Sequence, residues 1–168
     1  MGIEVKLTDN TGLYLNALQS QIRAALEAVG QQAETHAKNN LTAAGKRNTG
    51  GLINSISHEV RMAEDAVYVG SNVEYATYVE YGTGIHGENG GTGSGWWVYV
   101  TGGGSGQNKV HGKRYTEQEA RQIVAILKSK GLDAHMTQGQ KPTHFLKNAV
   151  QEHADEYKAI TEMILQSD

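Results

Sequence analysis

Apolar residues recur three and four apart from about Thr11 to Thr42: Leu18, Ile22, Ala25 with Leu26, Val29, Ala33, Ala37 and Leu41. That spacing places them on one side of a long helix, opposite Gln19, Arg23, Glu27, Gln31, Glu34 and Lys38. Gly30 interrupts it at a cost of about 1 kcal/mol against alanine and can mark a bend. Ile3–Leu7 alternates like a short strand or arm, and Asn10 or Thr11 can cap the helix. After a polar break, Thr49 can cap one or two turns that turn Leu52, Ile53 and Ile56 inward. The period then shortens to two over His58–Met62 and Ala66–Gly70, with Ala63-Glu64-Asp65 between, which predicts a hairpin.

A junction of mixed period follows. Val67–Gly70 is β-forming, Gly70-Ser71-Asn72 is a turn signal, and Tyr75, Tyr78 and Val79 share one face of a short helix. These three are expected to be buried, with Gly82 at positive φ ending the helix. From Gly82 to Gly112 more than half of the 21 glycines accumulate around one island, Trp96–Thr101, which reads as a strand. Such glycine-rich segments lose much backbone entropy on ordering, so Ile85–Lys113 is expected to be partly mobile in an isolated subunit. Tyr115–Lys130 carries a helical stripe with a capping box at Thr116 and Glu119, and Gly131 ends it before a short strand at Leu132–Thr137. Strand, helix and strand here suggest a small lobe with the second strand parallel to the first. Pro142 suits the first turn of a last helix, whose stripe of Phe145, Leu146, Ala149, Val150, His153, Tyr157, Ile160, Ile164 and Leu165 reaches almost to the end.

The fold expected is α+β: a small, mostly antiparallel sheet packed by long N- and C-terminal helices, with a glycine-rich insertion carrying a strand–helix–strand unit. The length of 168 residues fits a single domain, 1–168, with a core of about 1–84 and 138–168 and an insertion of about 85–137.

Three blocks carry a resemblance. Val69–Gly84, with Glu80-Tyr81-Gly82-Thr83 at its heart, resembles the signature of the small neck, or tail-completion, proteins at the head–tail junction of tailed phages. Thr49-Gly50-Gly51-Leu52-Ile53-Asn54-Ser55-Ile56 and Gly139-Gln140-Lys141-Pro142-Thr143-His144-Phe145 are similar to two further blocks of that family, in the same order. Ile53 and Asn54 depart from positions often basic in that pattern, and His144 stands where a second proline is usual. The resemblance implies a virion protein, made in a bacterial cytoplasm, that forms a homo-oligomeric ring, most often a hexamer. Its implied partners are the head connector or stopper and the tail terminator or tail tube, with DNA passing through the lumen.

Composition narrows the rivals. A net charge of −3 and 38% hydrophobic residues describe neither a disordered chain nor a strongly nucleic-acid-binding one. No apolar run reaches the roughly 20 residues of a membrane helix, and Met1–Lys6 has no signal-peptide core, so export by that route is not expected. Without cysteine there is no thiol nucleophile, disulfide or thiolate metal site. The histidines His36, His58, His86, His111, His135, His144 and His153 lack the His-x-x-x-His or Glu-x-x-His spacing of a metal-binding helix, so no metal and no cofactor are expected.

Gly82-Thr83-Gly84-Ile85-His86-Gly87 spells a dinucleotide fingerprint, but a helical turn precedes it where a strand is required. Gly102–Lys109 fails as a phosphate loop, because Asn108 precedes Lys109 and Val110 follows it. Glu74 and Glu80, six apart, do not pair as acid and base. Lys109, Lys113 and Arg114 form one short basic cluster. No enzyme is read from these residues. The expected interface set is Trp96, Trp97, Glu80, Tyr81 and Thr83. Adjacent tryptophans on a strand face opposite ways, so one ring can anchor a partner while the other enters a core, or both can be covered by the chain's own loops. Two other classes remain open: a peptidoglycan-binding module, since Tyr115–Thr137 resembles half of a SPOR domain, and a small hydrolase.

Overall fold

The computed structural model describes residues 9–45, 50–88, 94–101, 108–109 (backbone only) and 113–166. The fold is α+β, and the chain divides into two compact units: 1–72 with 145–168, and 73–144. The expected Ile3–Leu7 strand and the Thr49 cap lie outside the described residues.

The first unit is organised on α1, Thr11–Ala43. A two-turn helix, α2 (Gly50–Ser55), leads into β1 (Ile56–Arg61), which pairs antiparallel with β2 (Ala66–Ser71) in the register Ile56↔Ser71 to Arg61↔Ala66. The hairpin forms as its alternation predicts. Ala25, Ala33, Ala37 and Leu41 of α1 are buried with Leu52, Ile56, Phe145 and Ala149. Alanines at i and i+4 let neighbouring elements come close, and the fully covered Leu41, Leu52 and Phe145 supply the volume.

α1 runs through Gly30 without a break. A β-carbon built there would lie 2.5 Å from His58 Cδ2 and 2.7 Å from Val67 Cγ2, so the glycine marks where the helix crosses the hairpin.

The last helix departs from expectation in two ways. It begins at Phe145, three residues after Pro142, and it is broken into α5 (Phe145–Gln151) and α6 (Ala154–Leu165). His153, at φ −119° and ψ 19°, leaves helical geometry to cap α6, and the Tyr157 hydroxyl donates to the Ala149 carbonyl across the break. Both segments pack along α1, which also carries the hairpin.

The second unit holds α3 (Ala76–Tyr81), a 3₁₀ turn at Gly84–His86, and a three-stranded sheet ordered β4-β3-β5. These strands are β3 (Trp97–Thr101), β4 (Asn108–Lys109) and β5 (Asp133–Thr137), with α4 (Glu117–Ser129) packed on β3 and β5. Val98, Ala120 and Ala134 form its buried centre. The capping box closes as predicted, with Thr116 Oγ1 accepting from the Glu119 amide and Glu119 Oε2 accepting from the Thr116 amide. Gly131, at φ 77°, ends α4 with the paired Leu132→Leu127 and Gly131→Lys128 amide–carbonyl bonds of a Schellman stop.

The parallel pairing expected of β3 and β5 is wrong. They run antiparallel, Trp97↔Thr137 to Thr101↔Asp133. The reason is the path of the chain, which has already returned to the start of β3 before α4 begins, where Tyr115 bridges Trp96. The helix then carries it to the far end, and β5 comes back.

Candidate interaction site

Within the second unit, two separated blocks, 78–85 and 138–144, are held together mainly through backbone. Thr83 N–H donates to Gln140 O (2.9 Å), Ile85 N–H to Gln138 O (3.1 Å), and Gln140 N–H to Thr83 Oγ1 (3.0 Å). The Thr143 amide donates to Val79 O at 3.0 Å, its hydroxyl to the same oxygen at 2.9 Å, and the His144 amide to Glu80 O at 3.1 Å. Gln140 Nε2 takes the Tyr78 carbonyl at 2.8 Å. These bonds satisfy amides that Pro142 and the late start of α5 would otherwise leave unpaired.

Such closeness requires glycine. Gly82 (φ 76°, ψ 179°) and Gly84 (φ 63°) lie in backbone regions that side chains resist. A β-carbon on Gly84 would lie 1.8 Å from Gln138 O, and one on Gly139 (φ 127°) 2.0 Å from Thr83 O. Gly82 and Gly84, two of the three glycines of the dinucleotide fingerprint, thus have a packing explanation.

The crossing also decides which face of α3 is buried. Ala76, Val79 and Glu80 turn inward, whereas Tyr75 and Tyr78 are exposed, Tyr78 at 55%. The expectation that these two tyrosines are buried is therefore wrong. The 3.6-residue period permits both faces, and the chain arriving at 140–144 selects the one with the small Ala76. Tyr75, Tyr78, Tyr81 and Ile85 are left as an exposed, mostly aromatic set.

The five residues expected at an interface thus all lie in this unit, in different settings. Glu80 is only 4% exposed in the single chain. Tyr81 is 40% exposed and Thr83 is half-buried in the crossing. Trp96 and Trp97 are both half-buried, with neither ring wholly inside nor wholly out. Trp97 stands over Gly84, and the Arg114 guanidinium lies 5.1 Å from its ring centre. Trp96 borders a shallow recess of about 410 Å³ with Arg114, Tyr115, Glu119 and Gln138. Lys113 also lies over an aromatic ring, that of Tyr115 (5.9 Å), so both described cations of the basic cluster face aromatic rings.

The first unit carries an exposed set that periodicity did not single out. From Thr11 to Ser20 every residue of α1 is exposed, including Leu13 (71%), Tyr14 (76%), Leu15 and Leu18. Large apolar side chains at successive turns of a helix with no cover mark an interaction surface more often than scattered single residues do. Leu18 belongs to the apolar stripe read from the sequence yet is 48% exposed, so spacing alone does not reveal where the cover of α1 begins.

Among the ion pairs of the first unit, those of His58 staple two elements together. His58 Nδ1 meets Glu34 Oε2 at 2.8 Å and its Nε2 meets Glu27 Oε2 at 3.2 Å, joining β1 to α1. The Glu34 and Glu27 carboxylates raise the His58 pKa against the opposing effect of burial. Glu34 is held below the usual carboxylate range by Lys38 first and His58 next.

Residues 6–82, a little under half of the chain, match the model of the HK97-gp10-like family, described as "Bacteriophage HK97-gp10, putative tail-component". Over that stretch the chain is similar to this phage tail-component family. The match runs from before α1 through the hairpin to Gly82, the glycine that stops α3. No curated protein and no solved structure matches the chain. A tail-related structural component of a virion agrees with the phage resemblance carried by the Glu80-Tyr81-Gly82-Thr83 block. No helix among the described residues is long and apolar enough to cross a membrane.

Proposed function

We propose that this protein is a non-enzymatic structural component that forms a six-fold ring at the head–tail junction of a tailed-phage particle. It would join the head connector to the tail and leave a lumen through which DNA passes. The family match supports virion placement, and the observation that carries the assembly reading is the uncovered start of α1, with Leu13, Tyr14, Leu15 and Leu18 exposed. In this reading those turns lie against a second copy of the chain. The tyrosine face of α3, with Tyr81, and the half-buried Trp96 and Trp97 would then meet the connector or tail proteins. The chain would act as one domain, with about 85–137 as an insertion.

Mass photometry of the purified chain tests the ring. A species at a multiple of 18.2 kDa is expected, six-fold in the first instance. Leu13→Glu with Leu18→Glu should reduce it to monomer without altering the circular dichroism spectrum, because both residues are exposed. A wild-type chain that stays monomeric at all concentrations, and whose double variant supports normal virion yield, would overturn the proposal.

A further inference from the structure

In the first unit, three metal-ligating side chains from two distant parts of the chain converge. His36 lies on α1, His153 caps α6, and Glu156 stands in the first turn of α6. Their donor atoms all lie within 4.8 Å of one another. Glu156 Oε2 is 2.9 Å from His36 Nε2 and 3.2 Å from His153 Nδ1. The two imidazole rings are stacked, 3.4 Å between centres and parallel within 10°. Gln32, one turn before His36, donates from Nε2 to the other carboxylate oxygen at 2.7 Å.

We propose that His36, His153 and Glu156 form a binding site for a divalent transition-metal ion, with zinc the best fit to the donor set. Two imidazole nitrogens and one carboxylate oxygen are a known zinc triad, with a fourth position left to water or to a donor from another molecule. At metal–ligand distances of about 2.1 Å, tetrahedral geometry puts ligand atoms about 3.4 Å apart. The Glu156 oxygen therefore already sits near the required distance from both nitrogens. An ion lies close to the plane of each ring it binds, so coordination requires the stacked rings to splay. His153 has room to give, because it sits in the non-helical turn between α5 and α6. Gln32 supplies outer support: by holding Oε1, it leaves Oε2 turned to the two rings. A simple ion-pair staple between α1 and α6 would need one imidazole and no stacked second ring on the same oxygen.

The site is also reachable, since the side chains of Glu156, His153 and His36 keep 39%, 29% and 17% of their exposure. The helix break that the hydrophobic stripe failed to predict is what brings His153 to it. Bound zinc would clamp α6, which has no fully buried residue of its own, onto α1.

The test uses the full chain without an affinity tag, titrated separately with zinc chloride and cobalt chloride. One ion per chain is expected by calorimetry, a tetrahedral d–d absorption spectrum for cobalt, and a melting temperature that rises with zinc concentration. His153→Asn keeps a good N-cap residue and removes the imidazole, and Glu156→Gln keeps the shape and removes the charge. Each should weaken binding by at least about 100-fold, the upper range for losing even an outer-shell partner, and remove the zinc-dependent rise in melting temperature. Unchanged circular dichroism in both variants ties the loss to the ligands. Wild-type affinity weaker than millimolar, or binding that survives both substitutions on other histidines, would overturn the proposal and leave an inter-helix staple only.

Discussion

The two units solve the same problem, bringing distant segments into contact, by different means. In the first, α1 crosses the hairpin with regular elements on both sides, and a single helical glycine, Gly30, makes room for His58 and Val67. In the second, residues 82–85 meet 138–140 as irregular backbone, and three glycines at positive φ are needed where carbonyl oxygens approach. A side-chain contact can yield by rotation; a backbone contact cannot. The difference implies that equal substitutions have unequal effects in the two units.

The largest effect is expected at Gly84. Alanine there would force a β-carbon into the Gln138 carbonyl and strain φ 63°, so Gly84→Ala should destabilise by about 3 kcal/mol or more in chemical denaturation. Gly70, in β2 with open space around it, is the control, and its alanine variant should stay within about 0.5 kcal/mol of wild type. Equal losses for the two would break the comparison.

Next comes Gly30→Ala, which gains about 1 kcal/mol of helix propensity but overpacks against the His58 ring. A net destabilisation of about 1–2 kcal/mol is expected, less than at Gly84 because both neighbours are side chains. A more stable variant would show that the crossing relaxes freely. Thr116→Ala, which opens the capping box of α4, should lower stability by about 1 kcal/mol, read as an earlier denaturation midpoint.

Legibility followed the same division. Regular elements held by period or by cap chemistry were readable: α1, the β1–β2 hairpin, and α4 with its box and glycine stop. The crossing was readable only as glycines and a Pro142 without visible purpose, because backbone-to-backbone contacts over about 57 residues leave no periodic trace. For that reason the expectation for Tyr75 and Tyr78 falls on the wrong face. The direction of β5 depended on where the chain stood before α4, which propensity does not record. The break at His153 falls within an unbroken apolar stripe, so the cluster it forms with His36 and Glu156 was invisible to spacing. The exposed turns of α1 were not legible, because Leu15 and Leu18 continue the same three-to-four spacing as the buried positions that follow.

The smallest expected effect is a pH window in the first unit. His58 has a raised pKa, so its pairing with Glu34 and Glu27 contributes fully below the ordinary 6.5 and is lost as pH rises through the folded value. Glu34 has a lowered pKa through Lys38 and His58, so its contribution is present above the ordinary 4.5 and is lost as pH falls through the folded value. The stabilisation should therefore be greatest between about pH 4.5 and 6.5, at less than about 1 kcal/mol for a partly solvated pair. The melting-temperature gap between wild type and His58→Gln should narrow toward pH 8.5. A gap that widens there would reverse the assigned sign.

The central claim, that function resides in surfaces completed on assembly, is tested most directly in the particle itself. Tyr14, 76% exposed at the start of α1, can be replaced by a photo-crosslinking phenylalanine analogue and the chain carried into virions. The account predicts that illumination joins position 14 to a second copy of this chain, identified by mass spectrometry. Virions that contain no copies of the chain, or contain it with position 14 joined to nothing, would contradict it.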